Sequence, residues 1–188
     1  MGLNEKLSVW PSPQGLKRGM LVGLVVSVVD YIVLGYFFIL SGWDVNNTLL
    51  SQLCFSGPVL KSLYVAINNP TSLMYYKIGQ GLDYVFMFGY GTLIFSIGVY
   101  LGRNFPSASK WQRICFLMAI FGVVAALFDA MENMFIFLTL SDPLGFPDWY
   151  AVGQSSVSVM KWFLLLASIV ILLVGLFYNR ISKRGQKT

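Results

Sequence analysis

Asp30, Asp83, Asp129, Glu132 and Lys161 are ionisable side chains set inside strongly apolar stretches of the chain. Charge at bilayer depth is costly, so such groups usually face a bundle interior, a partner or a ligand. By type they are carboxylic acids and one ammonium. Carboxyls in such a setting can act as general acid and base. A buried lysine can hold an anionic head group or stabilise a developing negative charge. Asp129, Glu132 and Asn133 fall at i, i+3 and i+4, on one helical face. Gln154, Ser158, Lys161 and Ser168 follow helical steps and form a second stripe. Gly23, Ser27 and Asp30 form a third, and Asp83 shares a face with Tyr90 seven residues on. Asp129, Glu132 and Lys161 are therefore the candidate catalytic groups. Asp30, Asp83, Tyr90, Asn133, Gln154 and Ser158 are the candidate binding groups.

Other chemistries have weaker support. Asp83, Asp129 and Glu132 offer the oxygen ligands that Mg²⁺ prefers, but no D-x-x-D-type repeat lies on one helix, so no metal site is assigned. The chain has no histidine, which removes the commonest metal ligand and base and disfavours zinc-hydrolase and haem-binding readings. Cys54 and Cys115 form no C-x-x-C motif and are expected on opposite sides of a membrane, so thioredoxin-like chemistry is excluded. No cofactor is named by any motif.

The elements that must position these groups are read from hydropathy. The chain has 188 residues, of which 56% are hydrophobic and 11% charged. Soluble domains are about 25% charged, so the composition is that of a membrane protein. A spanning helix needs about 20 mostly apolar residues, and stretches near 20–40, 76–101, 112–140 and 150–178 qualify. The expectation is a single all-α, four-span domain. The first stretch follows Lys17 and Arg18 as a signal peptide would. Its apolar run is longer than a signal core, Asp30 interrupts it and no A-x-A site follows, so it reads as a retained anchor.

Lysine and arginine set the orientation. They concentrate in the N-terminal arm (Lys6, Lys17, Arg18), around the connection after the second span (Arg103, Lys110, Arg113) and in the tail (Arg180, Lys183, Arg184, Lys187). Both termini are expected in the cytoplasm of a multi-pass protein of the cell or inner membrane. The formal charge of +5 reads as anchoring to anionic lipid. The basic residues are split among three segments, which leaves a nucleic-acid role little support. Trp43, Tyr75, Tyr76, Trp149 and Tyr150 are expected at the outer interface, and Tyr100, Trp111 and Tyr178 at the inner one.

Residues 1–17, with Pro11 and Pro13, read as irregular. Gly102 is placed to cap the second span, and Thr71 or Ser72 to start it. Segment 41–75 is much longer than the usual 2–8 residues between bundle helices. Its apolar positions predict one or two short amphipathic helices at the outer surface, serving as a connector or as a lid over the polar groups. Asn46-Asn47-Thr48 fits a glycosylation acceptor.

Depth argues that the charged groups meet. At 1.5 Å per residue from the outer end of each span, Asp83 lies about 10 Å deep, Glu132 about 12 Å, Asp30 about 15 Å, and Asp129 and Lys161 about 16 Å. Random scatter would spread them over about 30 Å of hydrocarbon. Each span offers one polar stripe that a four-helix bundle can turn inward. Four carboxylates and one ammonium cannot all be ionised in a dry site, so protons, a cation or water must complete it. Lys161 is expected to pair with Glu132 or Asp129, with Asn133 completing the hydrogen bonds of a buried pair.

Asp83-x-x-Phe86-x-x-x-Tyr90-Gly91, Asp129-x-x-Glu132-Asn133 and Lys161-Trp162 resemble elements in successive spans of uncharacterised small bacterial integral membrane proteins. The resemblance covers spans two to four. It implies one shared polar cluster and no reaction.

An accessory or assembly subunit ranks first among functions, with the polar layer fixing helix register and the apolar faces meeting partner subunits or further copies of the chain. The second reading is an enzyme or binding protein acting on a lipid or amphiphile that arrives sideways from the bilayer. Proton- or ion-coupled transport ranks third, because no broken helix or inverted repeat is evident.

Overall fold

A computed structural model describes residues 2–185, and among them the elements are helices, with no strand. Lys187 and the side chains of Lys183 and Arg184 lie outside the described residues. The helices are α1 (Leu3–Val9), α2 (Pro13–Ser41), α3 (Asn47–Leu53), α4 (Gly57–Tyr64), a 3₁₀ turn (Val65–Ile67), α5 (Pro70–Gly102), α6 (Lys110–Thr139) and α7 (Trp149–Gly185). The long ones have 29, 33, 30 and 37 residues. At 1.5 Å per residue each exceeds the roughly 30 Å of a hydrocarbon core. All four are apolar enough to cross a membrane, which makes this a polytopic membrane protein with an all-α four-helix bundle.

Helix starts follow capping chemistry. Ser12 Oγ accepts from the Gly15 N–H at 3.0 Å with Pro13 in the first turn. Asn69 Oδ1 accepts from the Ser72 N–H at 2.9 Å, followed by Pro70. Ser109 Oγ accepts from the Gln112 N–H at 3.2 Å. Two expectations change here. The N-terminal arm is helical because Ser12-Pro13 caps α2 early and Glu5 receives the Gly2 N–H in α1. Asn69 takes the capping role expected of Thr71 or Ser72, since the following proline has no N–H to leave unpaired.

Small residues let the long helices approach. A Cβ added at Gly23 of α2 would lie 2.7 Å from both Gly89 O and Leu93 N of α5. One added at Gly98 of α5 would lie 2.9 Å from Cys115 O and from Ala119 Cα of α6. Gly102 is the last residue of α5, with Arg103 as its cap, and it makes room for the Phe116 ring. Its place reflects close packing, a correction to the expected capping role.

The lateral order follows the chain. α2 packs along α5, α5 along α6, and α6 along α7, while α2 packs substantially on no long helix other than α5. The bundle is therefore open between α2 and α7.

The short helices close one end, called the cap end. Leu60, Tyr64 and Ile67 are fully buried with Tyr76, Leu140 and Phe146 against the ends of α5, α6 and the α6–α7 connection. Tyr64 Oη lies 3.0 Å from Thr139 Oγ1, and burial holds its phenol above the ordinary range, hence protonated. Trp43 and Tyr76 meet with their rings tilted by 50° and centroids 4.9 Å apart within this cluster. They are core residues instead of the interface belt expected from their position. Trp149 does stay exposed. At the opposite end Trp111 stacks between Phe105 and Tyr178. Leu7 of α1 is buried there, and Arg103 Nε donates to its carbonyl.

Candidate functional site

The polar stripes of α5, α6 and α7 converge below the cap. Lys161 of α7 projects toward α6, where its ammonium lies 3.0 Å from Asp129 Oδ1 and 2.5 Å from Glu132 Oε2. All three are nearly sequestered, with side-chain exposures of 5%, 9% and 1% for Lys161, Asp129 and Glu132. The Asp129 contact is an aligned hydrogen bond. The Glu132 contact is a charge contact without that alignment, so both Glu132 oxygens are buried with no hydrogen-bond donor. Tyr90 of α5 completes Asp129 by donating to Oδ2 at 2.9 Å. Lys161 thus serves two carboxylates where a single partner was expected.

Asn133 works elsewhere than expected. Its amide donates to Asp83 Oδ2 at 2.8 Å and to the Gln80 carbonyl at 3.2 Å, and makes no hydrogen bond with Lys161 or its acidic partners. The physical reason is the i, i+4 step: Asn133 sits one turn beyond Asp129, nearer the cap and level with Asp83. Asp83 is half-buried, and its hydrogen bond comes from a neutral donor.

Three other candidates stand apart. Asp30 is buried on the seam between α2 and α5, in the stripe whose Gly23 and Ser27 pack on Gly89. Its Oδ2 has no partner, and it makes no hydrogen bond or ion pair with the cluster. Gln154 donates to the Ser51 carbonyl at 3.1 Å, and Ser158 bonds back to the Gln154 carbonyl. Gln154 thus fastens α3 to α7, while the Ser158 bond stays within α7, on the turn that faces Glu132.

A cavity of about 460 Å³ lies beside the cluster on the open α2–α7 side. Asp83, Tyr90, Asp129, Asn133 and Lys161 line its polar floor together with Gln80. One wall is α2, including Leu34, Gly35 and Ile39, and the other is Trp162 and Leu165 of α7. A Cβ built on Gly35 would meet nothing within 4 Å. The roof is Trp43 with Thr48 and Gln52. Trp43 Nε1 donates to Thr48 Oγ1 at 3.1 Å, and Trp162 Nε1 donates to Gln52 Oε1 at 2.9 Å. The second bond ties segment 41–75 to the rim of the cavity.

Sequence reasoning missed Gln80, Gln52, Thr48 and the roof position of Trp43. Gln80 was accessible, because it precedes Asp83 by three residues on one face. The Gln52–Trp162 bond spans 110 residues and has no local signal. Among the described residues, no group of three or more His, Cys, Asp or Glu side chains is arranged to hold a metal ion.

The cavity thus combines aliphatic and aromatic walls with a floor of acceptors and donors, and it is open between α2 and α7. Comparison with known proteins finds no family model, curated protein or solved structure that matches the chain.

Proposed function

We propose that this protein is an integral membrane binding protein for an amphiphile, which enters sideways between α2 and α7 and sets its head group on the polar floor. The carrying observation is the coincidence of the gap with the charge: Asp83, Asp129 and Lys161 line a cavity at the one seam of the bundle where adjacent long helices do not pack. A polar layer that served register alone would gain nothing from an open side lined by aromatic and aliphatic groups. That contrast favours ligand binding over the accessory role that the sequence ranked first. In this reading Asp129, Glu132 and Lys161 hold the floor in place, Asp83 and Gln80 meet the ligand, and segment 41–75 is a lid. The termini are cytoplasmic by the distribution of lysine and arginine, so the cap end faces outward.

Gly35→Leu tests the reading, because its side chain would grow into the empty space in front of α2. Native mass spectrometry of protein extracted from its own membranes should find an amphiphile retained by the unaltered chain and lost from Gly35→Leu at equal folding. Identical bound lipids in both proteins, or none in either, would remove the proposal.

A further inference from the structure

The charge of the cavity floor says which head group it accepts, and this inference rests on the amphiphile reading above. Among the described residues Lys161 is the only cation that lines the cavity, and its ammonium already contacts both Asp129 and Glu132. No positive charge remains for Asp83. Its carboxylate lines the cavity with one hydrogen bond, from the neutral amide of Asn133. The floor is therefore acidic in sum, and it offers acceptors in excess of donors.

Aromatic rings surround that floor. Tyr31 and Phe38 come from α2, Phe86 and Tyr90 from α5, Trp43 from the roof and Trp162 from α7. Phe86 lies between Tyr31 and Tyr90, with ring centroids at 6.1 and 5.4 Å. Aromatic faces attract cations through their quadrupoles, and rings grouped around a carboxylate are the chemistry that recognises alkylated ammonium groups. An anionic head group would meet Asp83 and Asp129 with no free cation to receive it. An inorganic cation would leave the apolar walls unfilled, and the walls continue as Leu34, Ile39 and Leu165.

We infer that the occupant is a cationic amphiphile: an ammonium head group seated between Asp83 and the aromatic rings, with a hydrocarbon body lying in the α2–α7 gap.

The test uses the full chain in nanodiscs of digalactosyldiacylglycerol, a neutral lipid without an amine. Decyltrimethylammonium, decyl sulfate and decyl maltoside are titrated calorimetrically below their micellar concentrations, with empty discs subtracted. The ammonium probe should bind at least about tenfold more tightly than the other two. Asp83→Asn should erase that preference, and Gly35→Leu should abolish binding of all three. If Asp83→Asn does not fold, Phe86→Leu takes its place and should weaken the ammonium probe several-fold more than it weakens the maltoside. Equal binding of the three probes, blocked by Gly35→Leu, would overturn the cationic head group and leave the amphiphile site standing. A preference that survives both Asp83→Asn and Phe86→Leu would overturn it too. No binding of any probe, with no co-purifying lipid, would remove both readings.

Discussion

Replacing Lys161 with methionine should cost far more stability than replacing Glu132 with glutamine, although both break the same contact. The asymmetry follows from the charges left behind. Lys161 is 5% exposed and touches two carboxylates that are 9% and 1% exposed. Methionine keeps most of the volume and removes the only positive charge in the group, which strands both acids. Breaking a buried pair in this way costs about 3–5 kcal/mol, because a charge is left uncompensated. That is a large share of the roughly 5–15 kcal/mol that holds a domain together. Glu132→Gln leaves the aligned Lys161–Asp129 bond and the Tyr90 donor in place, and removes the carboxylate that has no aligned donor. Its cost should stay within about 1 kcal/mol. The triple change Lys161→Met, Glu132→Gln and Asp129→Asn, neutral throughout, should recover most of the loss, as neutral replacements of buried pairs often do. Dodecyl sulfate unfolding from maltoside micelles, followed by circular dichroism, measures all four proteins. A Lys161→Met protein within about 1 kcal/mol of the parent, or a Glu132→Gln protein as unstable as Lys161→Met, would refute this account of the cluster.

Two glycines on α2 should respond in opposite senses. Gly23→Ala forces a methyl into the α5 backbone at Gly89 and Leu93 and should lose about 1–3 kcal/mol by overpacking. Gly35→Ala meets open space and should be neutral or gain up to about 1 kcal/mol of helix propensity, with thermal unfolding as the check. Thiol labelling of intact cells reads both topology and burial. Cys54, half-buried at the cap end, should react with a membrane-impermeant maleimide, while fully buried Cys115 should react only after unfolding. Labelling of Cys54 solely from the cytoplasmic side of inverted vesicles would reverse the orientation.

How much of this was legible in the chain depends on the range of the physics. A constant helical rise turns position into depth, and the helical period turns spacing into facing. Asp129, Glu132 and Lys161 could therefore be grouped before any coordinates. The same arithmetic misjudged Asp30, whose stripe is right but whose neighbour is α5 alone. Gly23 and Ser27 draw that face onto Gly89, and no periodicity reveals which helix a stripe will meet. Its place beside Glu132 in the sequence points Asn133 toward Lys161. One turn of height and the lateral position of Asp83 decided otherwise.

By itself the sequence determined the four apolar helices, their polar stripes and the common level of their charges, because these are local properties of composition and period. Tertiary structure alone decided that α2 stays apart from α7, that the cap roofs the gap through Gln52 and Trp162, and that Asp83 lines the floor of the cavity. Those outcomes depend on which helices share a seam. That choice comes from side-chain fit between segments up to 110 residues apart, which no single helix encodes.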